Sequence, residues 1–268
     1  MLNVSIVLYN PNWQQVNDLT ATLLQSKHVH HIYWIDNSPV SSCPQSIDTR
    51  VIYQHNQHNI GYGAAHNIAI RESIYDDIPY HLVINPDIIL NIKELEKMLQ
   101  FINSHPEVGS LMPKVVYPNG ELQYLCKLLP TPFDVFGSRF LPRKWMGHRN
   151  HTYEMRASGY NKLMNVPYLS GCFMLLRTQA ALAARLFDEQ FFMYPEDMDL
   201  TRRIHRDYLT VFFPHATIIH NHEKASYKSL KMLWIHIVNM CRYFNKWGWF
   251  CDKERRLFNQ TVMNEYLK

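Results

Sequence analysis

Short apolar runs, each stopped by asparagine, aspartate, glycine or proline, alternate along the first 120 residues with stretches whose apolar positions recur every three or four residues. Residues 4–9 form an apolar run that Asn10-Pro11 ends, which predicts a strand and a turn. Residues 13–25 carry Val16, Leu19, Leu23 and Leu24 at helical spacing. Residues 31–35 predict a second strand, closed by the polar turn Asp36-Asn37-Ser38-Pro39, and residues 51–53 a third. Helical spacing then runs through Ile68, Ala69 and Ile74. Residues 81–84 predict a buried strand, residues 92–102 a helix, and residues 108–117 a strand with Pro118-Asn119-Gly120 as its turn. The order β-α-β-β-α-β-α-β predicts an α/β fold with a mostly parallel, Rossmann-like sheet flanked by helices.

The second half is less regular. Residues 125–165 show no period, hold Pro130, Pro132 and Pro142, and carry a basic cluster (Arg139, Arg143, Lys144, Arg149), which predicts a lid or a partner-binding loop. Residues 168–176 resume strand character around Gly171, where either a close approach to the backbone or a bulge would explain the glycine. A helix is predicted over residues 201–206. Glu196, Asp197 and Asp199 gather around its start, where carboxylates suit the macrodipole. Glu196 and Asp199, three apart, are expected on one helical face and Asp197 elsewhere. Residues 211–219 predict a last strand, ending at His220-Asn221-His222.

Beyond it, Leu230, Leu233, Trp234, Ile237, Cys241 and Phe244 form one apolar stripe at helical spacing. Lys228, Lys231, Arg242 and Lys246 flank the stripe, and Trp247, Trp249 and Phe250 follow. Such a helix either docks on the core or lies on an anionic membrane surface. The division expected is residues 1–225 as one domain, nucleotide-binding over 1–120 and acceptor-binding over 121–225, with residues 226–268 as a helical extension.

Composition narrows the class. At 268 residues and 47% hydrophobic, the chain can bury a sizeable core. Its five cysteines are scattered with no CxxC pair, which argues against a disulfide framework or a zinc site and fits a reducing cytosol. No basic n-region precedes the first strand and no stretch of about 18 apolar residues occurs, so neither a signal peptide nor a membrane span is expected. A net charge of +4 permits anionic partners without naming one, and the basic residues do not form the dense aromatic-interleaved stripe that nucleic acid would demand.

The candidate chemistry sits at strand ends. Pro86 cannot donate to a sheet ladder, so the strand over residues 81–84 must stop and leave Asp87 just beyond its carboxyl end, where open α/β sheets bind ligands. A carboxylate there can hold a divalent cation, and the cation a diphosphate, although Asn-Pro-Asp is also plain turn chemistry. Gly61 and Gly63 allow a close-approaching backbone before a helix N-terminus, which suits an anion or simply a tight turn. The segment is neither a Walker loop nor a full GxGxxG.

Taken together, these pieces resemble family 2 glycosyltransferases of GT-A fold, most closely their bacterial rhamnosyltransferase branch. The resemblance rests on residues 5–10, Asp36-Asn37-Ser38, residues 59–67, Asn85-Pro86-Asp87, residues 170–174, residues 192–200, and Pro214 with His220. It runs in order from about residue 3 to 245. The resemblance implies that Tyr9, Asn10 and Asp36 hold the nucleotide, that Asn59, Gly61 and Asn67 line nucleotide and donor sugar, and that Asn85 and Gly171 belong to the donor site. It also implies that Asp87 and His220 ligate Mg²⁺ or Mn²⁺, that Asp197 is the catalytic base and that Glu196 is a positioning or acceptor-binding carboxylate. Asn85 stands where the family's DxD motif has its first acid. The activity implied is inverting transfer of a sugar, L-rhamnose from dTDP-rhamnose or alternatively a hexose from a UDP-sugar, to a lipid-linked or polysaccharide acceptor of bacterial surface glycan such as O-antigen or capsule. The location implied is the cytoplasm, at the inner face of the membrane. A nucleotidyltransferase would instead place a basic, glycine-rich phosphate loop where Asn10-Pro11-Asn12 stands, and a non-catalytic sugar-binding protein would not need Asp87, Asp197 and His220 together.

Overall fold

The computed structural model describes residues 1–44, 48–137, 143–221 and 230–267. Arg139, Pro142, the Arg143 side chain, His222 and Lys228, all singled out in the sequence, lie outside the described residues. The chain forms strands β1 (Leu2–Leu8), β2 (Val29–Asp36), β3 (Val51–His55), β4 (Tyr80–Ile84), β5 (Ile88–Ile89) and β6 (Val108–Val116). It continues with β7 (Cys126–Lys127), β8 (Met164–Asn165), β9 (Tyr168–Leu169), β10 (Phe173–Arg177) and β11 (Leu209–His220). The helices are α1 (Trp13–Leu23), α2 (Tyr62–Tyr75), α3 (Ile92–Ser104), α4 (Arg143–Tyr153), α5 (Thr178–Ala183), α6 (Glu196–Ile204), α7 (Leu230–Trp247) and α8 (Lys253–Tyr266).

The main sheet has the order β3-β2-β1-β4-β10-β6-β11-β5, with β8 also on β11. β1, β2, β3, β4, β6 and β11 share one direction, while β5, β8 and β10 oppose them. The mostly parallel sheet expected from the α/β alternation is therefore present, with β10 inserted antiparallel between β4 and β6. All of β4 is buried, as a strand covered on both faces must be. On one face α1 and α3 share an apolar cluster with the strands through Val16, Leu19, Leu95 and Met98. The other face is closed by α2, α5 and α6 through Ile70, Ala180, Leu200 and Ile204. Beneath α2, Ser5 Oγ lies 2.6 Å from His66 Nδ1 and 2.8 Å from His81 Nε2, and burial drives both imidazoles toward the neutral form.

Four expectations are revised. The aperiodic stretch 125–165 is not a bare loop: it contains β7, β8, a π-type turn at Phe133–Gly137 and α4. Met146 is buried on an otherwise polar helix, so no apolar stripe marked α4 in the sequence. The run 168–176 is two strands, since β9 pairs with β7 in a separate ribbon while β10 joins the main sheet. The helix expected over residues 201–206, with the acids at 196–199 around its start, has those acids inside its first turn, running from Glu196 to Ile204. The C-terminal stripe also divides: Met240, Tyr243 and Phe244 are buried against Leu129, Phe191 and Met198, whereas Leu230 and Trp234 are 84% and 67% exposed.

Candidate active site

The carboxyl ends of β1, β2, β4, β6 and β11 meet at one edge of the sheet, the expected ligand side of a parallel α/β layer. Local backbone geometry then sets each group. After β4, Ile88 N–H donates to Asn85 C=O at 3.3 Å, so Asn85-Pro86-Asp87-Ile88 is a turn with proline at its second position. The short β5 that follows pairs antiparallel with the end of β11, His220 opposite Ile88, and Asn221 N–H donates to Asp87 C=O at 3.0 Å. That pairing brings two residues 133 positions apart into contact: His220 Nε2 lies 3.4 Å from Asp87 Oδ2.

Burial would lower the His220 pKa, but its interactions with Asp87 and Cys172 outweigh burial and hold the imidazole up at about 10. Gln123 locks the ring from behind, with its Oε1 3.0 Å from Nδ1 and its Nε2 donating to the His220 carbonyl at 2.8 Å. Asp87 Oδ1 is buried without a hydrogen-bond partner. Among the described residues no third His, Cys, Asp or Glu completes a metal-holding group. One carboxylate oxygen and one imidazole nitrogen suit Mg²⁺ or Mn²⁺, which takes its other donors from water and substrate phosphates.

Two cavities flank this pair and share Tyr62, Asn85 and Met193 in their walls. The first, of 390 Å³, is lined by Tyr9, Asn10, Asn12, Asn37, Asn59, Asn85 and Asp87 among others. The second, of 810 Å³, includes Lys127, Tyr168, Gly171, Glu196, Asp197 and His220. Tyr62 forms the partition, its hydroxyl lying 2.9 Å from Asn85 Oδ1 and 2.7 Å from the Gly171 carbonyl.

Three residues expected at the donor site face neither cavity. Asp36 is fully buried, accepting from Ser38 N–H and from the Tyr53 hydroxyl, both at 2.8 Å, and so ties β2 to β3. Asn67 bonds both backbone polar groups of Phe187, at 3.0 and 2.9 Å, and staples α2 to that turn. Gly61 has φ +98°, and a Cβ there would meet the Phe192 carbonyl oxygen at 2.8 Å, so its glycine serves the close packing of α2 on the segment before α6.

Sequence reasoning took in Tyr62 only as part of the 59–67 segment and passed over Asn37, Met193 and Lys127 as lining groups. Tyr62 stood between two glycines at a helix start, and Asn37 adjoined a strand-end aspartate. Lys127 lay in the stretch without a period.

At the start of α6 the two neighbouring carboxylates differ. Asp197 Oδ2 accepts from Gly171 N–H and Oδ1 from Met198 N–H, both at 2.7 Å. Gly171 is required here, since a Cβ would lie 2.9 Å from Asp197 Cβ. Burial pushes the Asp197 pKa up to about 6, against the opposing pull of those N–H groups and of Lys127. Burial and the Asp197 charge push Glu196 well above the usual carboxylate range, and its Oε2 is buried without a hydrogen-bond partner. Burial thus favours the proton on both neighbouring carboxyls, and at Asp197 the two N–H donors oppose it.

Asp199 does more than stabilise the first helical turn. It is fully buried, accepting from Trp247 Nε1 and Arg203 Nε at 2.8 Å each, with Lys246 Nζ also at 2.8 Å. It binds α6 to the C-terminal helix.

The family model described as "Glycosyl transferase family 2" matches residues 4–183. The chain belongs to that family. It is 26% identical over 235 residues to an N-acetylglucosaminyl-diphospho-decaprenol L-rhamnosyltransferase of Mycobacterium tuberculosis, covering 82% of this chain and 76% of that one. It is 29% identical over 192 residues to rhamnosyltransferase WbbL of Escherichia coli K12, covering 68% and 69%. Among solved structures it resembles GalNAc-T7 crystallised with UDP, GalNAc and Mn²⁺, with a TM-score of 0.61 at 11% identity; the match takes in all of this chain and 56% of that longer one. The fold is that of GT-A glycosyltransferases.

Proposed function

We propose that the protein is a metal-dependent, inverting glycosyltransferase that moves L-rhamnose from dTDP-rhamnose to a lipid-linked acceptor in bacterial surface glycan synthesis. The observation that carries this reading is the junction of two cavities at Tyr62 and Asn85, with Asp87 and His220 at the junction and Asp197 in the second cavity. The rhamnose assignment draws on the two rhamnosyltransferase relatives. A UDP-hexose donor is the alternative, with the same roles for the same residues.

In this reading the first cavity takes the nucleotide, where Tyr9, with 54% of its surface exposed, offers a ring for the base. Asp87 and His220 would hold Mg²⁺ or Mn²⁺, which supplies Lewis-acid neutralisation of the departing diphosphate. Asp197 takes the proton of the acceptor hydroxyl as that oxygen bonds to the anomeric carbon and the bond from that carbon to the diphosphate oxygen breaks. Attack from the face opposite the leaving group inverts the centre. Glu196, beside Asp197 in the second cavity, hydrogen-bonds and orients the acceptor.

A thermal-shift comparison of dTDP-rhamnose with UDP-glucose, with and without Mn²⁺, tests the donor. A ligand at 100 times its Kd should stabilise by about 2.7 kcal/mol. Asp87→Ala should abolish the Mn²⁺-dependent part of that shift, and stabilisation by UDP-glucose alone would assign the donor to the UDP-hexose reading.

The same proposal places the exposed first half of α7 at the membrane face, since Leu230 and Trp234 lie open there while the second half docks on the core. No helix among the described residues is long and apolar enough to cross a membrane, so such contact would be peripheral. Trp234→Ser should weaken flotation with anionic liposomes at low salt, and wild-type protein that stays unbound would return this helix to packing alone.

A further inference from the structure

We propose that Asn239 of α7 is a positioning residue for the transfer reaction. It holds the Met193–Tyr194 peptide in a strained form that shapes the wall between the two cavities and aims the start of α6. This rests on the reading of those cavities as donor and acceptor sites. Met193 lines both cavities and Tyr194 the second. Pro195 follows as the N-cap of α6, and Asp197 stands in that helix's first turn. Tyr194 has φ +92°, a conformation that a residue with a Cβ rarely adopts and that persists only where its surroundings impose it. Pro195 narrows the alternatives, since the residue before a proline is disfavoured in the helical region.

The surroundings that impose it come from α7. His236, Asn239, Arg242 and Lys246, spaced three or four apart, lie on one face of that helix. Asn239 Nδ2 donates to Met193 C=O at 3.0 Å, and the His236 ring stands edge-on to the Tyr194 ring with centres 5.0 Å apart. Arg242 Nη1 donates to Gln190 C=O at 2.8 Å and Lys246 Nζ to Asp188 at 2.7 Å. Arg242 and Lys246 flank the apolar stripe in sequence, yet both are bonded to this segment. From the other side α2 pins it, with Tyr62 N–H donating to Phe192 C=O at 3.0 Å over Gly61. Asn239 is the decisive contact. The φ of Tyr194 is the rotation that joins the Met193–Tyr194 peptide plane to the Tyr194 Cα. Relaxation to a negative φ must therefore turn that plane, and its carbonyl is the group Asn239 holds. Asn239 is 2% exposed, and its Oδ1 accepts from Arg242 Nη1 at 3.2 Å, which keeps the amide nitrogen on the carbonyl.

Asn239→Leu keeps the size of the side chain and removes its donor. It is compared with wild type, Tyr194→Gly and the double variant, each well below its own unfolding midpoint. Three quantities are measured: kcat for transfer from dTDP-rhamnose to farnesyl-diphospho-N-acetylglucosamine, the Kd of dTDP by calorimetry, and hydrogen exchange of the Tyr62 amide. Asn239→Leu should lower kcat by about 10–100-fold, the effect of a misplacement near 1 Å, and leave the dTDP Kd within about threefold. The Tyr62 amide should exchange at least about tenfold faster. Glycine adopts a positive φ without strain, so in the Tyr194→Gly background the same change should cost less than about threefold in kcat and in exchange. Equal losses in both backgrounds would make Asn239 a general packing residue and overturn the proposal. So would an Asn239→Leu variant with a lowered midpoint but wild-type kcat and Tyr62 exchange, or a loss confined to dTDP binding. Wild type that transfers from neither dTDP-rhamnose nor UDP-glucose, while the exchange cycle shows the coupling, would count against the glycosyl-transfer reading and support the hold of Asn239 on Tyr194.

Discussion

Replacing Asp197 with asparagine should lower turnover by about 10²–10⁴-fold, the range expected when a general base is lost. Nucleotide binding should be nearly unchanged, because Asp197 lines the second cavity and not the first. Glu196→Gln should cost far less, under about tenfold, since an amide keeps hydrogen-bonding capacity for orienting the acceptor and the proton goes to Asp197. The pH profile supplies an independent check. Wild-type activity should rise as pH passes through about 6, where Asp197 ionises, and the Asp197→Asn variant should lose that limb. The sign for stability is opposite. A carboxyl whose folded pKa is raised from 3.8 to about 6 binds its proton more tightly when folded, so its contribution to stability is lost as pH rises through that window. Removing its charge therefore relieves a burial cost. The asparagine is not a perfect replacement, because its amide nitrogen must face either Gly171 N–H or Met198 N–H, where the carboxylate accepted both. Full activity in Asp197→Asn together with an inactive Glu196→Gln would move the base to Glu196.

What could be read from sequence follows the range of the forces involved. The α/β order was legible because apolar runs and helical stripes are local and each strand end carries its own breaker, as at Asn10-Pro11 and Asn85-Pro86. The Asp87–His220 pairing could be placed only through resemblance, because the contact depends on a two-residue strand, β5, that no periodicity can mark. Asp36 and Asn67 stood at the right strand end and helix start, yet their side chains turn inward, since Tyr53 and Phe187 arrive from elsewhere to bond them. The three acids at 196–199 read as helix-start chemistry, and that is where they stand. Their separate environments come from Gly171, Trp247 and Lys246, none of them neighbours in sequence. Within the helical extension expected over residues 226–268, α8 was not legible as a separate helix, because Arg255 and Val262 are its buried positions, too few for a visible stripe.

The C-terminal helices are bound to α6 by a buried charge pair, and breaking that link should cost the fold several kcal/mol. Arg202, on α6 five residues after Asp197, is only 1% exposed. It donates two hydrogen bonds to Asp252, each of 2.7 Å, and a third to Glu254 at 2.7 Å, with the Trp247 ring centre 4.0 Å from its guanidinium carbon. Asp252 also caps α8, accepting from Arg255 N–H at 2.9 Å. Asp252→Ala would leave the guanidinium buried with its bidentate partner gone, at a cost of about 3–5 kcal/mol, and would remove the cap as well. In a chain of this length that should lower the unfolding midpoint by about 10 °C. The double change Arg202→Met with Asp252→Leu should recover much of the loss, because it removes both charges from the interior. Burial would raise the Asp252 pKa, but the hydrogen bonds and charge of Arg202 outweigh it and hold the carboxyl below its usual 3.8. The stabilisation from this pair is then complete above pH 3.8 and is lost as pH falls through the lower folded value, so the gap between wild type and Asp252→Ala should narrow in strong acid. Chemical unfolding of the three proteins at pH 7 and pH 3 measures both effects. A single variant whose midpoint moves by less than about 2 °C would mean that the ring contact, Glu254 and the Tyr243 hydroxyl satisfy Arg202 without Asp252, and that the helices are held to the site by apolar packing.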